Sequence, residues 1–195
     1  MTALPLDLAI FLFLGLFTPG PNVIMLFSSG ARFGFRATVP HLLGVVVGVG
    51  ILGFLVGLGI GSLIFALPSL ETALRLIAFL WILWLAWGIW TSAAKSIDAS
   101  DSRPMRFIEA ILFQTVNPKF WSVALAGAAY LIGRPALQQG LTLGGMAAAI
   151  NLFVCLFWVI CGHGLSRFLT ASRARLYFYR IMAVLLAFSG LMVFF

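Results

Sequence analysis

The sequence predicts an all-α membrane protein with six transmembrane helices, built as two inverted three-helix repeats whose first helices are each interrupted by proline. Three observations carry that expectation. The chain is 63% hydrophobic and only 9% charged, too little polar surface to cover a water-soluble globule. Its apolar stretches recur at the length a bilayer demands, about 20 residues each. Prolines fall deep inside the first of these stretches and again inside the fourth.

The six spans run roughly Leu4 to Phe27, Val39 to Leu67, Thr72 to Thr91, Phe107 to Ile132, Gln139 to His163 and Leu176 to Phe195. They make residues 1–195 one integral membrane unit, with repeat one at about 1–91, a polar loop at about 92–106 and repeat two at about 107–195. The remaining connections are too short for a soluble domain. No Lys or Arg precedes Arg32, so the first span lacks the basic start of a secretion signal and is expected to stay in the mature protein.

A net charge of +7 suggests nucleic acid until the basic residues are placed. Arg32, Arg36, Lys95, Arg103, Arg106, Arg167, Arg173, Arg175 and Arg180 follow the odd-numbered spans, nine in all, while the opposite side holds Arg75 and Arg134. This is the positive-inside pattern: three basic connections in the cytoplasm, both termini outside, the bilayer as the partner and no role for nucleic acid.

Span two carries Gly44 and Gly48, then Gly53, Gly57 and Gly61. Small residues every fourth position let helix backbones approach closely in lipid. Packing within one subunit is the first reading, and a homodimer through this helix is the alternative. In span five, Cys155, Cys161 and His163 offer soft metal ligands, but the two cysteines lie about 240° apart around a helix and do not converge. No metal or other cofactor is expected.

Two polar clusters sit at membrane depth. Asn117, Pro118 and Lys119 lie about 15 to 18 Å into the fourth span, near the bilayer centre. A lysine there normally faces a cavity or a partner and marks a functional site; otherwise it ties helices together by bonding carbonyls that a proline frees. Thr18, Pro19, Gly20, Pro21 and Asn22 lie deep in the first span. Each half has three spans, so the halves enter the membrane from opposite sides, and interrupted helices at matching positions of inverted halves point to a transporter's binding site. Freed backbone groups are tolerated at that depth only where they are buried or line a cavity.

The T-P-G-P-N of span one, "GARFGFRA" after it, the glycine-spaced second span and N-P-K in the fourth together resemble the LysE/RhtB family of amino-acid exporters over essentially the whole chain. Ala110, Ala78, Trp81 and Ala86 depart from the family's usual glycine, glycine, tyrosine and glycine. The resemblance implies secondary-active export of amino acids or similar metabolites across the bacterial inner membrane, driven by the membrane potential or a proton gradient. A zwitterion's carboxylate would meet N–H groups freed at Gly20 and Asn22 and the Lys119 ammonium, and its own ammonium would meet carbonyls or the side chains of Thr18, Asn22 and Asn117.

Asp7 and Glu109 are the only carboxylates within spans, both near span ends. No buried acid is therefore evident for a cationic side chain, which favours a neutral amino acid such as threonine, homoserine or a branched-chain type. The same two residues are the candidates to carry a coupling proton, with an ordinary interfacial role as the plainer reading. The alternatives are metal-ion efflux through Cys155, Cys161 and His163, and, in another class, an intramembrane hydrolase using Ser28 or Ser29 with His41 or His163. The hydrolase lacks a G-x-S-x-G elbow, and no buried Ser/His pair is expected at depth.

Overall fold

Among the described residues the apolar stretches are helical and no strand is present in the computed structural model, which describes residues 6–60, 68–94, 103–167, 169 and 172–191. The seven helices are α1 (Leu6–Phe17), α2 (Pro21–Gly57), α3 (Pro68–Ala94), α4 (Phe107–Val116), α5 (Pro118–Ala129), α6 (Ala136–Ser166) and α7 (Ser172–Leu191). Four of them, α2, α3, α6 and α7, contain stretches long and apolar enough to cross a membrane, while α1 and α4 are shorter apolar helices. Gly61 of the glycine series and Lys95 of the basic series lie outside the described residues.

The expected connection between the first two spans is absent as a loop: residues 28–38 are helical apart from Gly34, whose backbone (φ 81, ψ 172) leaves the helical region. The contacts around Gly34 show what it does. Ser29 and Thr38 share a hydrogen bond of 3.0 Å between their hydroxyls, although nine residues of straight helix would hold them about 13 Å apart. Gln114 likewise bonds Asn22 and lies against Gly48, positions about 39 Å apart along a straight helix. The chain therefore doubles back at Gly34, making two antiparallel limbs, residues 21–33 and 35–57. A positive φ that glycine adopts without steric cost replaces a loop, and the Thr38 hydroxyl bonds the Gly34 carbonyl at 2.9 Å.

The limbs of α2 form the centre of the molecule, and glycines set how closely its neighbours approach. A Cβ on Gly44 would strike the Phe107 carbonyl and the Ala110 methyl of α4. One on Gly57 would lie 2.6 Å from the Gly140 Cα of α6, and one on Gly53 would lie 3.1 Å from the Gly144 Cα. Farther along α6, a Cβ on Gly162 would collide with the Phe27 carbonyl and come within 3.1 Å of the Ala31 nitrogen. The glycine stripe is thus occupied by the chain's own backbone; a second copy meeting this helix would meet its other face, where Leu43, Val47 and Ile51 are exposed.

Helices α3 and α7 pair beside this centre, with Gly190 against Ile82. Ala78, Ile82, Ala86 and Leu186 form a second apolar cluster with Ile24, Met25 and Phe113. Ala78, Ala86 and Ala110, three of the departures from the family pattern, are all packing residues, 0%, 5% and 0% exposed.

Gly162→Val is expected to lower the melting temperature of the detergent-solubilised protein sharply. Overpacking costs about 1–3 kcal/mol even where neighbours can shift, and here the obstacle is backbone. Gly164→Ala, with nothing within 4 Å of the added methyl, is the control and should melt like the unaltered chain. Equal melting of the two variants would show that the α2–α6 contact is looser than described.

Candidate functional site

At the first break, α1 ends at Phe17, α2 begins at Pro21, and Thr18, Pro19 and Gly20 lie between them. Pro19 has no N–H for the Gly15 carbonyl four residues back, and the Thr18 hydroxyl takes its place at 3.0 Å. The Thr18 and Pro19 carbonyls, facing away from any helix ladder, accept from the Lys119 ammonium, the first in a short hydrogen bond and the second at 3.5 Å. At the second break, Asn117 separates α4 from Pro118 at the start of α5. The Thr115 carbonyl is met by the Trp121 indole N–H at 2.9 Å. The second break thus satisfies itself from its own side chains and sends its lysine to the first.

The two broken helices run side by side in opposite directions. Asn22 bonds Gln114, Thr18 bonds Lys119, Gly15 faces Val123 and Leu12 faces Gly127, so one number falls as the other rises. The breaks come level with each other, roughly 18 Å from the turn at Gly34, counting about 1.5 Å per residue from Asn22. Gly20 makes this approach possible: its backbone is extended, a conformation open to any residue, but a Cβ there would sit 2.6 Å from the Lys119 Cδ.

An amide network joins the breaks. The Asn22 Nδ2 donates to the Gln114 Oε1 at 2.9 Å, the Gln114 Nε2 returns a bond to the Asn22 Oδ1 at 3.2 Å, and the Asn117 Nδ2 donates to the Gln114 Oε1 at 3.0 Å. Beside it lies a crevice of about 20 Å³ lined by Gly20, Asn22, Asn117, Lys119, Asn151 and Trp158, among others, room for about one water molecule. The Asn117 Oδ1, the Asn151 Nδ2 and the Trp158 Nε1 are buried there without hydrogen-bond partners. Buried polar atoms left unpaired are costly.

All eight residues expected at the site, Thr18, Pro19, Gly20, Pro21, Asn22, Asn117, Pro118 and Lys119, therefore meet in one corner. Gln114, Asn151 and Trp158 were not expected. Gln114 sits three residues before Asn117, and Asn151 is a lone amide in an apolar helix, a signal readable in the sequence. Asp7 and Glu109 lie elsewhere. Asp7 is exposed in the first turn of α1. Glu109 accepts from the Arg106 backbone N–H at 2.8 Å and from both Arg103 guanidinium nitrogens at 2.8 and 2.5 Å, which raises the Arg103 guanidinium above its ordinary range.

A second, larger cavity of about 570 Å³ lies between the limbs of α2 and helices α3 and α4. It places Ser28, Ser29 and His41 together in its lining, all buried and all within about seven residues of the turn at Gly34. No hydrogen bond joins them, however: Ser29 bonds Thr38, while Ser28 and both His41 nitrogens are unpartnered. Cys155 is buried, Cys161 is half-buried and His163 is exposed, and among the described residues no group of three or more potential metal ligands lies together.

The family model described as LysE type translocator matches residues 13–195. The chain belongs to that family. It is a multi-pass membrane protein of transport, an exporter by family. No curated protein and no solved structure matches it.

Proposed function

We propose that this translocator exports a neutral amino acid or closely related metabolite from the bacterial cytoplasm by alternating access, with six spans in two inverted repeats and both termini outside. The observation that carries the proposal is the level, antiparallel packing of the two broken helices, with the lysine of one on the carbonyls of the other. An amino acid is complementary to both parts of that contact. Its ammonium replaces the Lys119 ammonium on the Thr18 and Pro19 carbonyls, and its carboxylate pairs with the lysine so released. The crevice as it stands holds about one water, so the guest enters only when the broken helices part, and rocking one repeat against the other exposes the site to each side in turn. The uncharged amide lining, Asn22, Gln114, Asn117 and Asn151, suits a neutral side chain. Coupling by Asp7 or Glu109 fits less well, because the Glu109 carboxylate already caps α4 and holds Arg103.

The direct test is an export screen: cells expressing the protein are loaded with a dipeptide mixture, and the released amino acids are compared with those from cells lacking the gene. Neutral amino acids should accumulate faster in the medium. Release of cationic amino acids alone, or no difference, defeats the substrate assignment.

Orientation has its own measurement, resting on the nine-to-two basic asymmetry. A reporter active only outside the cytoplasm should work when fused after Phe195 and stay silent when fused at Ser100. The opposite result at either position removes the six-span inverted arrangement.

A further inference from the structure

A polar seam runs between the two limbs of α2, where Ser28, Ser29, Thr38 and His41 are all buried. Ser29 and Thr38 bond each other, and Thr38 bonds Gly34. The Ser28 hydroxyl and both His41 ring nitrogens have no partner, at a cost of about 1–3 kcal/mol per group that an apolar side chain would avoid. The seam joins two places. At one end Ser28, Ser29 and His41 border the 570 Å³ cavity, whose Arg103 belongs to a connection expected in the cytoplasm. At the other, the antiparallel register of the limbs at Ser29 and Thr38 brings Asn22 level with Val45, so His41 lies about 6 Å along the axis from the amide network of the breaks. His41 also precedes Gly44 and Gly48 by three and seven residues on one helix face, and those glycines pack against α4 at Phe107, Ala110 and Gln114.

The ionisable groups around His41 come from five directions. The cavity it borders is lined by Arg32 of α2 itself, Glu109 of α4, Tyr179 of α7 and Arg103 of the connection before α4, while α3 contributes none. Helix α6, packed along both limbs, carries Cys155, Cys161 and His163, and Lys119 of α5 holds the breaks. The Glu109 charge acts on His41, and that carboxylate is itself partly exposed and paired to Arg103.

We propose that His41 carries the coupling proton of export, taking it on an imidazole nitrogen after cargo has left outward and releasing it through the cavity as new cargo binds at the breaks. The inference rests on the export reading and deepens it. Histidine is the side chain whose ordinary charge change falls between pH 5 and 8, and His163, the other histidine of the chain, is exposed. A charged imidazole in the arrangement described here would be buried without a bonded partner, at a cost of several kcal/mol. His41 is therefore neutral in this state. Gaining a proton requires the limb to shift against α4, and α4 carries Gln114, the hub of the network between the breaks. The step makes and breaks one N–H bond, and the Ser28 and Ser29 hydroxyls, each able to donate and accept, pass the proton along the seam.

The test uses the full chain in proteoliposomes, with an equimolar mixture of radiolabelled threonine, homoserine and leucine as the probe. Two readouts are compared: exchange of label against the unlabelled mixture without any gradient, and uphill uptake into vesicles made acid inside. The unaltered chain should do both. His41→Gln keeps hydrogen-bonding groups but takes no charge, so it should exchange within about twofold of the unaltered rate and lose uphill uptake by about tenfold or more. His163→Gln should lose neither. A second measurement leaves position 41 intact and decides the matter if His41→Gln proves unstable. The chain has two histidines, so His163→Gln protein made with isotope-labelled histidine reports His41 alone by solid-state NMR. Because cargo and proton exclude each other, the charged fraction at about pH 5.5 should fall at least twofold when the probe mixture is added. Uphill uptake by His41→Gln at the unaltered rate, a charged fraction indifferent to the probe, or exchange by the unaltered chain without uphill uptake overturns the proposal and leaves export standing. No exchange by the unaltered chain removes the export reading, and the proposal with it.

Discussion

Lys119→Met is expected to abolish export while the protein still reaches the membrane and melts close to the unaltered chain. Methionine keeps the length of the side chain and removes its charge. What disappears is the only cation described at the breaks, and losing a hydrogen bond to a charged group costs about 1.5–3 kcal/mol, or roughly tenfold and upward in affinity. Stability should change less. Thr18 and Pro19 are themselves exposed, so their carbonyls find other donors when the ammonium is gone, and the Asn22–Gln114–Asn117 network still holds the two helices together. Lys119→Arg should not restore transport, because the ammonium is a compact charge held against Gly20 and a planar guanidinium is not. A Lys119→Met protein that transports normally would make the residue a helix tie and move the substrate site elsewhere.

The second large effect is expected at the first break. Gly20→Val should inactivate transport with little loss of thermal stability. The glycine is not there for its backbone conformation, which is extended; it is there because Lys119 crosses its surface, and a Cβ 2.6 Å from the Lys119 Cδ would push that flexible side chain off the carbonyls. Pro19→Ala combined with Pro21→Ala should fail in the opposite way. With both N–H groups restored, the Gly15 and Phe17 carbonyls regain backbone partners, the helix closes, and the Thr18 and Pro19 carbonyls turn into the ladder where Lys119 cannot reach them. That variant should melt no lower than the unaltered chain and export nothing. Wild-type export by the double alanine protein would reduce the prolines to tolerated kinks.

The sequence by itself determined the class of the protein and the identity of its unusual residues. An excess of apolar residues, spans of bilayer length and prolines in the first and fourth stretches are local properties, legible without coordinates because the bilayer imposes them on each segment separately. The eight residues at the breaks were legible for the same reason: a proline or a lysine at depth conflicts with its surroundings wherever the rest of the chain lies. Only the tertiary structure decided which side chain answers which break. Nothing in "TPGPN" or "NPK" says that Thr18 caps Gly15 within its own helix, that Trp121 covers Thr115, or that Lys119 crosses to the other half. The first two are local, and the third depends on the antiparallel register of helices about a hundred residues apart in sequence. The turn at Gly34 was hidden because helix-forming residues flank it on both sides and a single left-handed residue does the work of a loop. The 570 Å³ cavity was hidden for a related reason. Ser28 and His41 looked like residues at span ends, and only the doubling back of α2 beneath α3 and α4 buries them together, because burial is a property of how helices pack and not of the helix that carries the residue.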